Sequence, residues 1–151
     1  FDWTPLRYLT RAAPRNVISG FFRIARIGVV TPLHDGMNLV AKEFVAAQDP
    51  RDPGVLILSR FAGAAEELTE ALVINPYDPA EIADAMHQAL VMGADERRAR
   101  HGALRAKVFA GTAAAFARRY LAALEGGTGT TAASLSPPLR HLAASLRRNS
   151  A

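Results

Sequence analysis

The stretch IGVVTPLHDGMNLVAKEFVAAQDP, residues 27–50, carries an apolar run, a polar turn and a helical pattern in that order, and its reading decides the fold. IGVVTP is short, β-branched and without polar alternation, as expected of a strand buried on both faces of a parallel sheet. A helix is predicted over 39–48, with Leu39, Val40, Phe44 and Val45 on one side at helical spacing. Between the two lie Asp35, Gly36, Met37 and Asn38, a flexible polar turn at the point where strand hands over to helix.

The same alternation continues downstream. GVLILS (54–59) is a second buried strand, GAAEELTEA carries a short helix begun near Gly63, and ALVIN (71–75) is a third strand stopped by PYDP. Pro79 suits the first turn of the helix PAEIADAMHQALVM, with Asp78 as its N-cap. Two more helices are predicted over 94–109 and 112–124, broken at Gly111. Buried strands separated by helices call for βαβ crossovers and a doubly wound α/β sheet. In such sheets ligands lie beyond the carboxyl ends of the strands. Those ends are 31–38, 59–64 and 75–78, all polar or rich in Gly and Pro.

The ends of the chain read differently. FDWTPLRYLT is a strand-like apolar and aromatic run with no earlier element to pair with, and Phe1 is not an initiator, so a longer polypeptide is expected. Residues 126–151 are rich in Gly, Thr, Ser and Ala, with a break at Pro137 and Pro138; they read as a disordered basic tail with at most a weak helix over 139–148. The expected organisation is one partial Rossmann-like domain over 1–125 followed by that tail.

Composition narrows the function. The 151 residues are 50% hydrophobic and 21% charged, the balance of a soluble globular domain. Setting aside Arg140, Arg147 and Arg148 of the 18 basic residues, 1–125 carries 15 basic against 14 acidic side chains. A near-neutral body lacks the clustered basic face of a nucleic-acid binder, so no nucleic-acid partner is expected. No run approaches the length of a membrane helix and no signal segment opens the chain, so no membrane partner is expected either. The absence of cysteine excludes disulfides and thiolate zinc sites and fits a cytoplasmic location. His34, His87, His101 and His141 show no ligand spacing, so neither metal nor cofactor is expected.

In chemical terms, Gly36 lets backbone approach a ligand closely, and the amides of Met37, Asn38 and Leu39 fall at a helix N-terminus, which favours an anionic phosphate. Asp35 stands just ahead and can accept hydrogen bonds from sugar hydroxyls. Glu43, a little over two helical turns on, can hold a vicinal pair of hydroxyls. A carboxylate, a phosphate cradle and another carboxylate in that order suit a nucleotide sugar. Each piece also has an ordinary explanation: Gly for the turn, Asp as a cap, Glu as a solvated surface group.

The blocks VTPLHDGMNLVAKEFVAAQDP, GVLILSRFAGAAEEL and ALVINPYDP, in this order, resemble consecutive segments near the carboxyl end of the trehalose-6-phosphate synthase family. The likeness covers about residues 3–124. It implies the C-terminal half of the donor domain of a two-domain (GT-B type) retaining glucosyltransferase, a parallel sheet with terminal helices. It further implies that Asp35, also taken as the catalytic residue, contacts glucose hydroxyls, and that the backbone of Gly36, Met37, Asn38 and Leu39 meets glucose and diphosphate. Val40 would lie near the nucleotide and Glu43 would take the ribose hydroxyls. The donor would be UDP-glucose or its ADP- or GDP- counterpart. The acceptor, glucose 6-phosphate, would bind only in the complete enzyme, itself expected to be a homo-oligomer. Transfer would proceed with retention, without metal, giving trehalose 6-phosphate.

Some positions depart from the family pattern: His34 stands in place of an Arg, Arg26 in place of an Asp, and FAGTAAAF replaces a more polar helix junction. The acceptor domain and the first half of the donor domain have no counterpart in the sequence, so this chain alone is expected to be inactive. Two other functions stay open: a glycogen-synthase-like transferase using a glucan acceptor, and a non-catalytic regulatory remnant bound to an intact synthase.

Overall fold

The computed structural model describes residues 6–125. Its elements are α1 (Arg15–Ile24), β1 (Ile27–Val30), α2 (Leu39–Ala47), β2 (Val55–Ser59), a 3-10 turn (Gly63–Glu66), β3 (Leu72–Ile74), α3 (Pro79–Val91), α4 (Ala94–Ala110) and α5 (Ala113–Glu125). Two compact units divide the chain, one ending at Ala110 and one beginning at Gly111, so α5 belongs to the second.

In the first unit the strands form a parallel sheet of order β1-β2-β3, with Ile27 opposite Val55 and Ile57 opposite Leu72. All five residues of β2 are buried because it lies between neighbours and under helices on both faces. Side chains alternate along a strand. Leu56 and Leu58 therefore join Ala41, Phe44 and Val45 of α2 and Leu104 of α4, while Val55 and Ile57 join Ala85 and Ala89 of α3. Two apolar layers around one sheet are the doubly wound arrangement read from the sequence.

β1 departs from expectation. Its residues are half-buried and Val29 is exposed, because β1 ends the strand order and has a partner on one edge only. In α2 the core-facing stripe is Ala41, Phe44, Val45 and Gln48, at spacings of three and four. Leu39 and Val40, expected on that stripe, are 59% and 46% exposed. The helix begins at Leu39, and this phase turns its first two residues toward the rim of the sheet.

The sequence reading missed α1. Val17, Ile18, Phe21 and Phe22 recur at helical spacing behind Pro14 at the N-cap position, a signal that was available. Phe22 meets Phe44 of α2 edge-on, centroids 6.0 Å apart. The buried Gln48 carboxamide donates to the Phe22 carbonyl and accepts from the Gly54 N–H, joining the end of α1 to the loop before β2. Residues 6–10 form no strand, and Leu6, Tyr8 and Leu9 are exposed; an apolar run without a ladder partner gains nothing by extending. The rest of that run, residues 1–5, and the expected tail over 126–151 lie outside the described residues.

Asp78 caps α3 as predicted, its carboxylate accepting from the N–H groups of Ala80 and Glu81 at 3.0 and 3.2 Å, with Pro79 in the first turn. At the other end of α3 the Arg26 guanidinium donates to the carbonyls of Met92 and Leu90 at 3.3 and 3.5 Å. A cation suits the negative end of a helix, so Arg26 has a structural role here. In the second unit, Thr112 Oγ1 accepts from the Ala115 N–H and the rings of Phe116 and Tyr120 stack along α5. Among the described residues no helix is long and apolar enough to cross a membrane.

Candidate functional site

The turn from β1 to α2 is built on one carboxylate. Asp35 Oδ1 accepts from the backbone N–H groups of Met37 and Asn38 at 3.0 and 2.9 Å, and Oδ2 accepts from the Asn38 carboxamide at 3.0 Å. Asn38 is buried and left-handed, with φ 67°, the only non-glycine residue of positive φ among those described. Its Oδ1 accepts from the Ala41 N–H at 2.9 Å and caps α2. Asn is among the few residues that adopt this conformation at low cost.

This corrects one expectation. A helix start leaves four N–H groups without intrahelical acceptors. Asp35 takes that of Asn38, and Asn38 takes that of Ala41, so those of Leu39 and Val40 remain. The amides of Met37 and Asn38, read as open, are held by Asp35 in the free chain. The Asp35 carboxyl lies below the usual carboxylate range, chiefly through the Met37 N–H, with the Asn38 side chain and N–H adding to it. At neutral pH Asp35 is an ionised, purely accepting group with about four acceptor positions, three of them filled.

The loop after β2 lies alongside this turn. Asp35 N–H donates to the Phe61 carbonyl at 3.2 Å, Gly63 N–H to the Asp35 carbonyl at 2.9 Å, and Ala64 N–H to the Met37 carbonyl at 2.9 Å, a short parallel ladder with Asp35 opposite Ala62. The loop after β3 joins through Phe61 and Tyr77, whose rings meet edge-on at 5.9 Å, and the first turn of α3 joins through an Arg60–Glu81 pair at 2.9 Å. The three strand ends thus share one rim, as the topology predicted.

Gly36, Met37, Leu39 and Val40 are exposed on the turn and the first turn of α2. Glu43 is exposed and pairs with Arg15 of α1 at 3.6 Å, a surface pair worth little. Val40 also borders a cavity of about 250 Å³ lined by Phe21, Phe22, Gly28 and Phe44. That cavity is apolar and has no lining residue between 31 and 39, so it is a gap between α1, β1 and α2 and not the polar site. His34 is exposed beside Asp35 and is the least of the groups that lower its carboxyl. Sequence reasoning missed the Asn38 side chain, which the Asp-x-x-Asn spacing could have suggested, and Gly63, for which no local signal exists.

The family model described as glycosyltransferase family 20 matches residues 1–126. A trehalose-6-phosphate synthase of Enterobacter sp. (strain 638) is 62% identical over 99 residues, which is 66% of this chain and 21% of that protein. The crystal structure of α,α-trehalose 6-phosphate synthase from Burkholderia multivorans superposes with a TM-score of 0.78 at 53% identity, covering 84% of this chain and 27% of the other. A structure from E. coli bound with UDP-2-fluoro glucose gives a TM-score of 0.70 at 55% identity, covering 71% and 24%. The chain spans about a fifth of the length of the curated relative it matches.

Proposed function

The chain belongs to glycosyltransferase family 20, and from that premise we propose that it supplies one wall of the donor site of a retaining trehalose-6-phosphate synthase. The reaction is transfer of glucose from UDP-glucose to glucose 6-phosphate, giving α,α-trehalose 6-phosphate and UDP. The observation that carries the proposal is the turn itself. An ionised Asp35 with acceptor capacity to spare, an exposed glycine and two open helix N–H groups sit together on the rim where three parallel strands end.

Each group has a task that its chemistry permits. Asp35 accepts from glucose hydroxyls at its remaining acceptor position and holds the sugar for reaction. Gly36 and the backbone of Met37, Asn38 and Leu39 let sugar and diphosphate lie against the chain, the N–H groups of Leu39 and Val40 facing the phosphate charge. Val40 lines the nucleotide side. Glu43 exchanges its weak partner Arg15 for the ribose hydroxyls. Retention then depends on holding the acceptor oxygen beside the leaving diphosphate and stabilising the charge that develops there, which is work for positioned donors.

The proposal assigns no metal to this chain. It places the complete enzyme in the cytoplasm, as a homo-oligomer, and leaves the acceptor to parts of the relatives that this chain does not span. The 151 residues alone therefore bind donor weakly and transfer nothing.

An amide-resolved NMR titration of the chain with UDP-glucose tests this. Peaks of Gly36, Leu39, Val40 and Glu43 should shift, and the shifts should vanish in Asp35→Ala and diminish in Glu43→Ala. A dispersed spectrum indifferent to UDP-glucose at millimolar concentration would remove the donor reading.

A further inference from the structure

Two glycines face each other across the site, and they are glycine for different reasons. Neither has a positive φ, so left-handed backbone explains neither. A Cβ on Gly36 would meet nothing within 4 Å; a Cβ on Gly63 would fall 2.2 Å from the Gly36 carbonyl oxygen and 2.8 Å from its carbon. Those are backbone atoms and cannot rotate aside. Gly63 is thus excluded from carrying a side chain by the donor turn itself, while Gly36 is spare to the fold and has open space before it.

We infer that Gly63 is a positioning residue for the donor turn. Its missing side chain lets the loop after β2 close onto the Gly36 carbonyl, where the N–H groups of Gly63 and Ala64 hold the Asp35 and Met37 carbonyls at 2.9 Å each. With the Asp35 N–H bonded to the Phe61 carbonyl, the turn is gripped on both sides of its carboxylate. A methyl at 63 has to push the Gly36 peptide outward by about an ångström to reach ordinary contact, which displaces the carbonyls and carboxylate that the two loops hold in register; in the complete enzyme a misplacement of that size costs on the order of 100-fold in rate. The inference rests on the donor reading of the turn, while the coupling between the two loops does not.

The test uses the 151-residue chain as Gly63→Ala, beside two controls. In Gly102→Ala the new Cβ meets nothing, and in Gly28→Ala it meets the Phe44 ring at 2.6 Å, which disturbs the core away from the turn. Two quantities are read: the midpoint of the Asp35 carboxyl titration by NMR, and the affinity for UDP-glucose. Gly63→Ala should raise the Asp35 midpoint toward that of an ordinary aspartate, because its grip on the Met37 and Asn38 N–H groups loosens, and should weaken UDP-glucose binding at least 10-fold. Gly102→Ala should change neither, and Gly28→Ala should lower Tm without moving the midpoint.

An unmoved midpoint with unchanged affinity in Gly63→Ala overturns the inference. So does a midpoint that moves equally in Gly28→Ala at equal loss of Tm, since that is plain destabilisation. If UDP-glucose binds neither parent nor variant while the Asp35 midpoint moves only in Gly63→Ala, the donor reading fails and the positioning of Asp35 stands. Should Gly63→Ala not fold, hydrogen exchange in the parent chain decides. The amides of Gly63, Ala64 and Asn38 should open together, and independent opening of Asn38 overturns the coupling.

Discussion

Asp35 and Asn38 hold each other twice: the Asn38 N–H reaches Oδ1 of Asp35 at 2.9 Å and the Asn38 carboxamide reaches Oδ2 at 3.0 Å. The same carboxamide caps α2 through the Ala41 N–H. One buried side chain therefore aims the carboxylate and starts the helix. The left-handed backbone that permits this is tolerated by Asn and Gly and strained for other residues.

Asn38→Ala removes the cap, about 1 kcal/mol, and puts a residue without the local side-chain hydrogen bonds of Asn into the left-handed region, a further ~1 kcal/mol. Asn38→Gly loses the cap without the strain. The expected order by urea unfolding is parent, then Gly, then Ala, with Ala roughly 2 kcal/mol below parent. An Ala variant as stable as the Gly variant would show that residue 38 is not left-handed in solution.

Gly36→Ala separates fold from site. Since a Cβ there meets nothing and φ is not positive, the melting temperature should stay within about 2 °C of parent, less than a 1 kcal/mol change produces in a domain of this size. The methyl instead occupies the space proposed for sugar and diphosphate, so UDP-glucose affinity should fall about 10-fold or more, which is ~1.4 kcal/mol. A large loss of stability would place the requirement for glycine in the turn and remove Gly36 from the list of ligand-facing groups.

Three carboxylates are held below their ordinary range and so link stability to pH. Asp35 is held down by the Met37 N–H first, Asp49 most strongly by the Arg51 side chain, and Glu70 by Lys107 at 2.7 Å. A carboxyl depressed in the folded state contributes stability above its unfolded pKa, about 3.9 for Asp and 4.3 for Glu, and loses it as pH falls through the folded value. Melting temperature should therefore be level above about pH 5 and decline below about pH 4. Asp49→Asn and Glu70→Gln should lie below parent at neutral pH and converge with it in acid. All three groups are partly exposed, so each effect is small. A parent–variant difference that is the same at acid and neutral pH would assign the loss to packing and not to ionisation.

Much of this was legible because periodicity and punctuation act locally. The three strands, α2 and the Asp78 cap of α3 all follow from residues within a dozen positions of each other. The phase of α2 was not legible in the same way. Leu39 and Val40 are apolar, yet they face the rim, because what starts the helix is the capping by Asn38 and not the hydrophobic count. That Asp35 holds two backbone amides, instead of leaving them open, depends on a turn conformation that composition does not specify. The pairing of Gly63 with Gly36 joins positions 27 apart and was beyond any local pattern. In contrast, α1 was readable from the spacing of Val17, Ile18, Phe21 and Phe22.

The docking of α4 gives the last prediction, one in which magnitudes decide between neighbours. Arg97, His101 and Leu104 form its buried stripe, at spacings of four and three. Arg97 pairs with Asp52 at 2.7 Å and donates to the Pro53 carbonyl, while its Nε has no hydrogen-bond partner. His101 Nε2 lies 3.1 Å from the Val45 carbonyl. Breaking a buried ion pair by removing one partner costs about 3–5 kcal/mol when the remaining charge has no access to water. Here Asp52 is mostly exposed, so the place its carboxylate vacates opens to water and the guanidinium is not left dry, whereas the Arg97 stem is buried; the two deletions should therefore differ. In Asp52→Ala the guanidinium keeps the Pro53 carbonyl and water can replace the carboxylate, a loss of about 1 kcal/mol. Arg97→Ala removes a long buried stem, leaves a cavity and strands the Pro53 carbonyl, a loss of about 3 kcal/mol. Arg97→Met refills the stem volume and should fall between them. Urea unfolding of the three variants checks the order, and Asp52→Ala as damaging as Arg97→Ala would mean that the ion pair itself, and not the packing of the arginine stem, fastens α4 to the loop before β2.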